Sequence, residues 1–100
     1  MYSNMRGKQN PSEINAESLI IIPAGHPNRR VEATPEAGTL LMKIYYKKRQ
    51  FIWEYTDKSS LEDRRKKKYE VKFTDIVNMS IKARANDFGE IIIDTNRPIA

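Results

Sequence analysis

The sequence predicts a small, mainly β domain of six or seven short strands, packed as an antiparallel barrel or as two facing sheets. Three observations carry this. Ile, Val, Thr, Phe, Tyr and Trp make up 29 of the 100 residues, against 11 for Leu and Ala. β-branched and aromatic residues suit a pleated surface, whereas Leu and Ala are the better helix formers. Apolar and polar residues alternate over several segments, which is the period of a half-buried strand. Gly, Pro, Asn and Asp interrupt those segments at short intervals, and no long helical period appears.

Residues 1–17 show neither a period of 2 nor one of 3.6 and read as a flexible arm, leaving 18–100 as the β domain. Ser18 to Ile22 is a short apolar strand stopped by Pro23, Gly25 and Pro27, and Arg29 to Ala33 is a second strand closed by Pro35 and Gly38. Thr39 to Asp57 carries the clearest pattern. Leu40, Met42, Ile44 and Tyr46 share one face, opposite Leu41, Lys43, Tyr45 and Lys47. After a polar Lys-Lys-Arg-Gln stretch, Phe51, Trp53 and Tyr55 line one face and Ile52, Glu54 and Thr56 the other. Two alternating runs joined by polar residues make a β-hairpin, with a loop wider than two residues because no Asn-Gly or Asp-Gly pair is present. Residues 58–68 read as a basic loop with at most one helical turn, since the consecutive cations Arg64 to Lys68 repel one another. Tyr69 to Phe73 alternates again, Thr74 and Asp75 make a 3₁₀ step, and Ile76 to Lys82 and Glu90 to Asp94 are the last strands. The expected core is Ile20, Ile22, Leu40, Met42, Ile44, Phe51, Trp53, Val71, Phe73, Ile76, Ile91 and Ile93.

Several function classes are excluded or disfavoured. Without Cys there is no disulfide, thiolate metal site or Cys nucleophile, and one His (His26) rules out two-His metal motifs. The longest apolar run, Leu19 to Pro23, is far short of the roughly 20 residues of a membrane span. The first residues lack the apolar core of a signal peptide. The expectation is a soluble intracellular domain without cofactor or metal. A Glu70-Val71-Lys72 triplet has the acid–x–base spacing of a metal-dependent nuclease. Such triplets arise by chance at this composition, however, and no pair of acids is placed to shift each other's pKa. The chain is therefore not expected to be an enzyme, and His26, in an Ala-Gly-His-Pro turn, reads as a loop residue.

Charge supplies the strongest functional signal. The net charge is +5, and Leu41 to Lys72 holds eleven basic and five acidic residues, so the excess is concentrated in one third of the chain. Lys43, Tyr45, Lys47, Lys48, Arg49, Arg64, Arg65, Lys66, Lys67 and Lys68 form the candidate polyanion-binding set. Cations interleaved with an aromatic ring suit phosphate backbones. The alternative is that these residues coat the solvated side of a sheet, where edge lysines deter aggregation. Arg64 to Lys68 also has the form of a nuclear-import signal. Trp53 falls on the apolar side and reads as core rather than as a stacking platform.

Three segments taken in order, Lys43 to Tyr55, Tyr69 to Lys82 and Gly89 to Pro98, resemble the pleckstrin-homology (PH)-like superfold. More narrowly, they resemble the domain of plant and protist nuclear proteins labelled telomere-repeat-factor-like. Phe51, Trp53 and Glu54 match its aromatic second strand. Phe73, Thr74, Asp75 and Ile76 match its aromatic–x–Asp–Ile step, and Arg97 and Pro98 its closing Arg–Pro. The resemblance implies a PH-like barrel, with the C-terminal helix that usually plugs it missing from this chain. It also implies a non-catalytic nuclear adaptor that contacts nucleic acid or an acidic protein within a larger complex. A membrane-recruitment module that binds phosphoinositides through Lys43, Lys47 and Arg49, and a pure protein-docking subunit, are the alternatives.

Overall fold

The computed structural model describes residues 11–58 and 66–98. Seven strands form one curled sheet: β1 (Ser12–Pro23), β2 (Arg29–Glu32), β3 (Gly38–Tyr45), β4 (Gln50–Asp57), β5 (Lys66–Lys72), β6 (Ile76–Ala83) and β7 (Phe88–Thr95). A 3₁₀ turn, Phe73–Asp75, links β5 to β6. The strands run β5-β4-β3-β1-β7-β6 across the sheet, with β2 paired to β1. This is a half-barrel, and its concave side holds the core.

The β3–β4 hairpin follows the alternation read from the sequence. Leu40, Met42 and Ile44 oppose Tyr55, Trp53 and Phe51, and β5 continues the layer with Val71 opposite Phe51. Leu40, Met42, Trp53, Val71, Ile91 and Ile93 are buried as expected, while Ile44, Phe51 and Ile76 pack at the margin. Trp53 is fully buried, 5.4 Å from the Phe51 ring. Its indole N–H has no hydrogen-bond partner among the described residues.

Four expectations need correction. First, β1 begins at Ser12, so residues 12–17 are not an arm. Ser12 to Ala16 pairs with Ile44 to Leu40 of β3, and Ile14 and Ala16 turn inward while Glu13, Asn15 and Glu17 face out. Ile14 is the one strongly apolar residue among the inward positions Ser12, Ile14 and Ala16, so the sequence shows no period there. Second, in the apolar half of β1 the buried side chains are Leu19 and Ile21, while Ile20 and Ile22 are only half-buried. The strand changes apolar phase between Ala16 and Leu19, where it leaves β3 to pair with β2. A run that is Leu or Ile on both faces cannot disclose its own phase.

Third, the pairing is not wholly antiparallel, because β1 and β7 run parallel through Ala16↔Phe88 to Pro23↔Thr95. Isoleucine on both faces of both strands is the composition of a parallel pair. Fourth, the basic loop does not extend to residue 68. Lys66, Lys67 and Lys68 open β5, opposite Thr56, Tyr55 and Glu54. Neighbouring side chains on a strand point to opposite faces, which separates adjacent ammonium groups, and Glu54 offsets part of the repulsion.

Candidate polyanion interface

The sequence-predicted cations separate into three groups with different surroundings. The first is the hairpin tip. A four-residue turn, Tyr46 to Arg49, joins β3 to β4, closed by Arg49 N–H donating to the Tyr46 carbonyl at 3.2 Å. Arg49 closes it with a positive φ of 52°, the left-handed conformation that returns a wide loop to the strand. Lys47, Lys48 and Arg49 are exposed and Tyr46 is 53% exposed. The Lys48 ammonium lies 5.5 Å from the centroid of the Tyr45 ring, at cation–π distance.

Two further contacts anchor this tip. Phe73 N–H donates to the Arg49 carbonyl at 2.9 Å, and the Ser12 and Tyr46 hydroxyls share a hydrogen bond of 3.1 Å. The first draws Lys72, opposite Gln50, to the same end of the sheet. Lys72 was not among the candidate site residues. Its place beside the tip follows from the β4–β5 register, which the sequence alone does not show.

The second group is internally neutralised. Lys43 lies on the outer face beside Glu54, with Nζ–Oε2 at 3.0 Å and the Glu13 carboxylate at 3.9 Å. Lys68 reaches the same Glu54 oxygen at 3.9 Å. The hydrogen bond to Glu54 raises the Lys43 pKa above the ordinary lysine value, against the opposing pull of desolvation. Lys43 is thus held against the sheet by Glu54 and Glu13.

The third group, Lys66 and Lys67, sits at the far end of β4. Thr56 pairs with Lys66 and Gln50 with Lys72, so roughly 20 Å of strand separates these lysines from the tip. The structure does not bring them together with Lys47 to Arg49. Arg64 and Arg65 lie outside the described residues.

Two of the recesses carry acidic side chains. One of about 640 Å³ opens where β1 leaves β3 and is lined in part by Glu17, Glu32 and Asp87, of which Glu17 pairs with Arg84 and Glu32 with Arg30. A smaller one of about 350 Å³ beside the 3₁₀ turn mixes Lys72 and Arg97 with Glu70 and Asp75. Here the resemblance-bearing residues meet. Arg97 Nε lies 3.3 Å from the Asp75 carboxylate, and Asn96 N–H donates to the Asp75 carbonyl at 2.9 Å. The buried Thr95 hydroxyl donates to the Arg97 carbonyl at 2.7 Å. The aromatic–x–Asp–Ile step and the closing Arg–Pro are therefore two halves of one clasp, holding the β5–β6 corner against the end of β7. No helix among the described residues is long and apolar enough to cross a membrane, and no group of three or more acidic or imidazole side chains among them is placed to hold a metal.

A curled β half-barrel with a tight β5–β6 corner and an apolar, Trp-centred concave face defines a PH-like domain. The chain belongs to the TRF2/HOY1 PH-like domain family, whose model matches residues 25–99. No curated protein and no solved structure is detectably similar to the chain. Membership places it with interaction modules, in a fold class that is generally non-catalytic.

Proposed function

We propose that this PH-like domain is a non-catalytic accessory module of a nuclear assembly, and that it contacts a polyanion, nucleic acid or an acidic protein segment, through the tip of the β3–β4 hairpin. The observation that supports this reading is the contrast between two cation sets. Lys43 and Lys68 converge on the Glu54 carboxylate, whereas Lys48 and Arg49 stand exposed on a turn that contains no acidic residue, with Tyr45 and Tyr46 beside them. Tip and corner together offer four cations, Lys47, Lys48, Arg49 and Lys72. Contacts of this kind bind phosphates without reading bases, so the module supplies affinity and placement rather than sequence choice.

The test is the affinity of the intact chain for a short DNA duplex at several salt concentrations. Four phosphate contacts give a log–log slope of about −3.6. The triple variant Lys47→Ala, Lys48→Ala, Arg49→Gly should lower that slope to about −1. Parallel measurements with an acidic peptide and with phosphoinositide-containing vesicles separate the partner classes. Absence of binding to all three at low salt contradicts the reading.

A further inference from the structure

Tyr46 is the one aromatic side chain that stands exposed among the described residues, at 53%. Trp53 is core, Phe51, Tyr55, Tyr69 and Phe88 pack against it, and Phe73 lies 4.7 Å from the Phe51 ring. Tyr46 continues the inward row of β3, Leu40, Met42 and Ile44, one residue past the end of the strand, where the core has run out. A ring left in water there adds little to the fold. It is nonetheless held at both ends. The Tyr46 carbonyl accepts the Arg49 N–H at 3.2 Å, and the hydroxyl shares its 3.1 Å hydrogen bond with Ser12 of β1. A side chain fixed in this way has already lost the rotamer freedom that a ligand would otherwise have to remove. The exposed Lys48 and Arg49 follow it on the turn, and the Phe73 N–H bond to the Arg49 carbonyl brings Lys72 to the same end of the sheet.

We propose that the polyanion received at the tip is a single strand of nucleic acid, one base of which stacks on the Tyr46 ring while Lys48, Arg49 and Lys72 take phosphates. This rests on the reading of the tip as a polyanion contact and names its ligand. A pinned, water-exposed ring among cations suits a single strand, because every base offers a π-face and every phosphate a charge. A duplex keeps its base faces stacked inside, so it can use the cations and not the ring. A run of carboxylates likewise meets the cations and offers the ring nothing flat. Stacking is tolerant of base identity, so it adds affinity to the phosphate contacts without adding sequence choice. DNA and RNA strands share this chemistry.

The test is the affinity of the intact chain, at several salt concentrations, for an oligothymidylate of about ten nucleotides, for a strand of the same length without bases, and for a duplex of that length. The base-bearing strand should bind about tenfold tighter than the abasic one at equal salt. Tyr46→Ala should erase that difference without changing the salt slope, and should leave affinity for the duplex and the abasic strand unaltered. Tyr46→Phe keeps the ring and should stay within about threefold of wild type. Unchanged Trp53 fluorescence shows that both variants are folded. An oligouridylate run in parallel distinguishes the sources: an advantage over the abasic strand for either oligomer supports the inference, and their ratio tells DNA from RNA. Equal affinity for base-bearing and abasic strands overturns it. So does an advantage that survives Tyr46→Ala, a Tyr46→Ala loss equal on every probe, or a Tyr46→Phe loss as large as that of Tyr46→Ala. Those results leave the reading of the tip intact where duplex or acidic-peptide binding still depends on Lys48 and Arg49. Failure of every polyanion to bind overturns both.

Discussion

Glu54 is 8% exposed although it lies on the outer face of β4, because Lys43 and Lys68 lie against it. A carboxylate so enclosed needs its counter-charges, and Lys43 in turn needs Glu54. Glu54→Ala should therefore destabilise the domain by about 1–3 kcal/mol, read as a lowered urea midpoint. Lys43 also sets a pH dependence. Its pKa is raised in the folded state by the Glu54 hydrogen bond, so its contribution is complete below the ordinary lysine value of 10.5. It disappears as pH climbs through the higher folded value. The stability difference between wild type and Lys43→Met should stay constant to about pH 10 and shrink above it. At the tip, Arg49 holds a φ of 52°, which a β-branched side chain tolerates poorly. Arg49→Val should cost about 1–2 kcal/mol, while Arg49→Gly should stay within about 0.5 kcal/mol of wild type. Thermal denaturation of the two variants distinguishes a conformational role from a charge role at this position.

Among the elements, the β3–β4 hairpin depends most on one small residue. A Cβ at Gly38 would meet the Thr56 carbonyl oxygen and, at 2.7 Å, the Tyr55 hydroxyl. The backbone oxygen cannot swing aside, so Gly38→Ala should cost about 1–3 kcal/mol in denaturant unfolding. This hairpin was also the element most legible in the sequence, because Leu40, Met42, Phe51, Trp53 and Tyr55 alternate cleanly with polar residues. β1 was least legible, for two opposite reasons. Its first half is inward-facing through Ser12, Ile14 and Ala16, of which only Ile14 is strongly apolar, so no period shows. Its second half is apolar on both faces, so the buried pair Leu19 and Ile21 was exchanged for Ile20 and Ile22. For the basic residues, sequence reasoning grouped Lys66 to Lys68 with the tip by charge, whereas the antiparallel register sends them to opposite ends of β4. The neutralisation of Lys43 by Glu54 depends on a diagonal cross-strand contact that appears only once the register is known.

For the molecule as a whole, fold and charge are arranged independently. The concave face carries the core, the β5–β6 corner is clasped to the end of β7 through Asp75 and Arg97, and the hairpin tip extends a cationic turn from one end of the sheet. The recess where β1 leaves β3 is lined in part by Glu17, Glu32 and Asp87, and the proposed polyanion contact falls on the tip, where the turn carries no acidic residue. Titration of the ¹⁵N-labelled chain with a short DNA duplex, followed by amide chemical shifts, measures this most directly. Shifts centred on Tyr45 to Arg49 and on Lys72 and Phe73, with Lys43 and Glu54 little changed, are the predicted result. Shifts centred on Lys66 to Lys68 or on β6, or none at low salt, would contradict it.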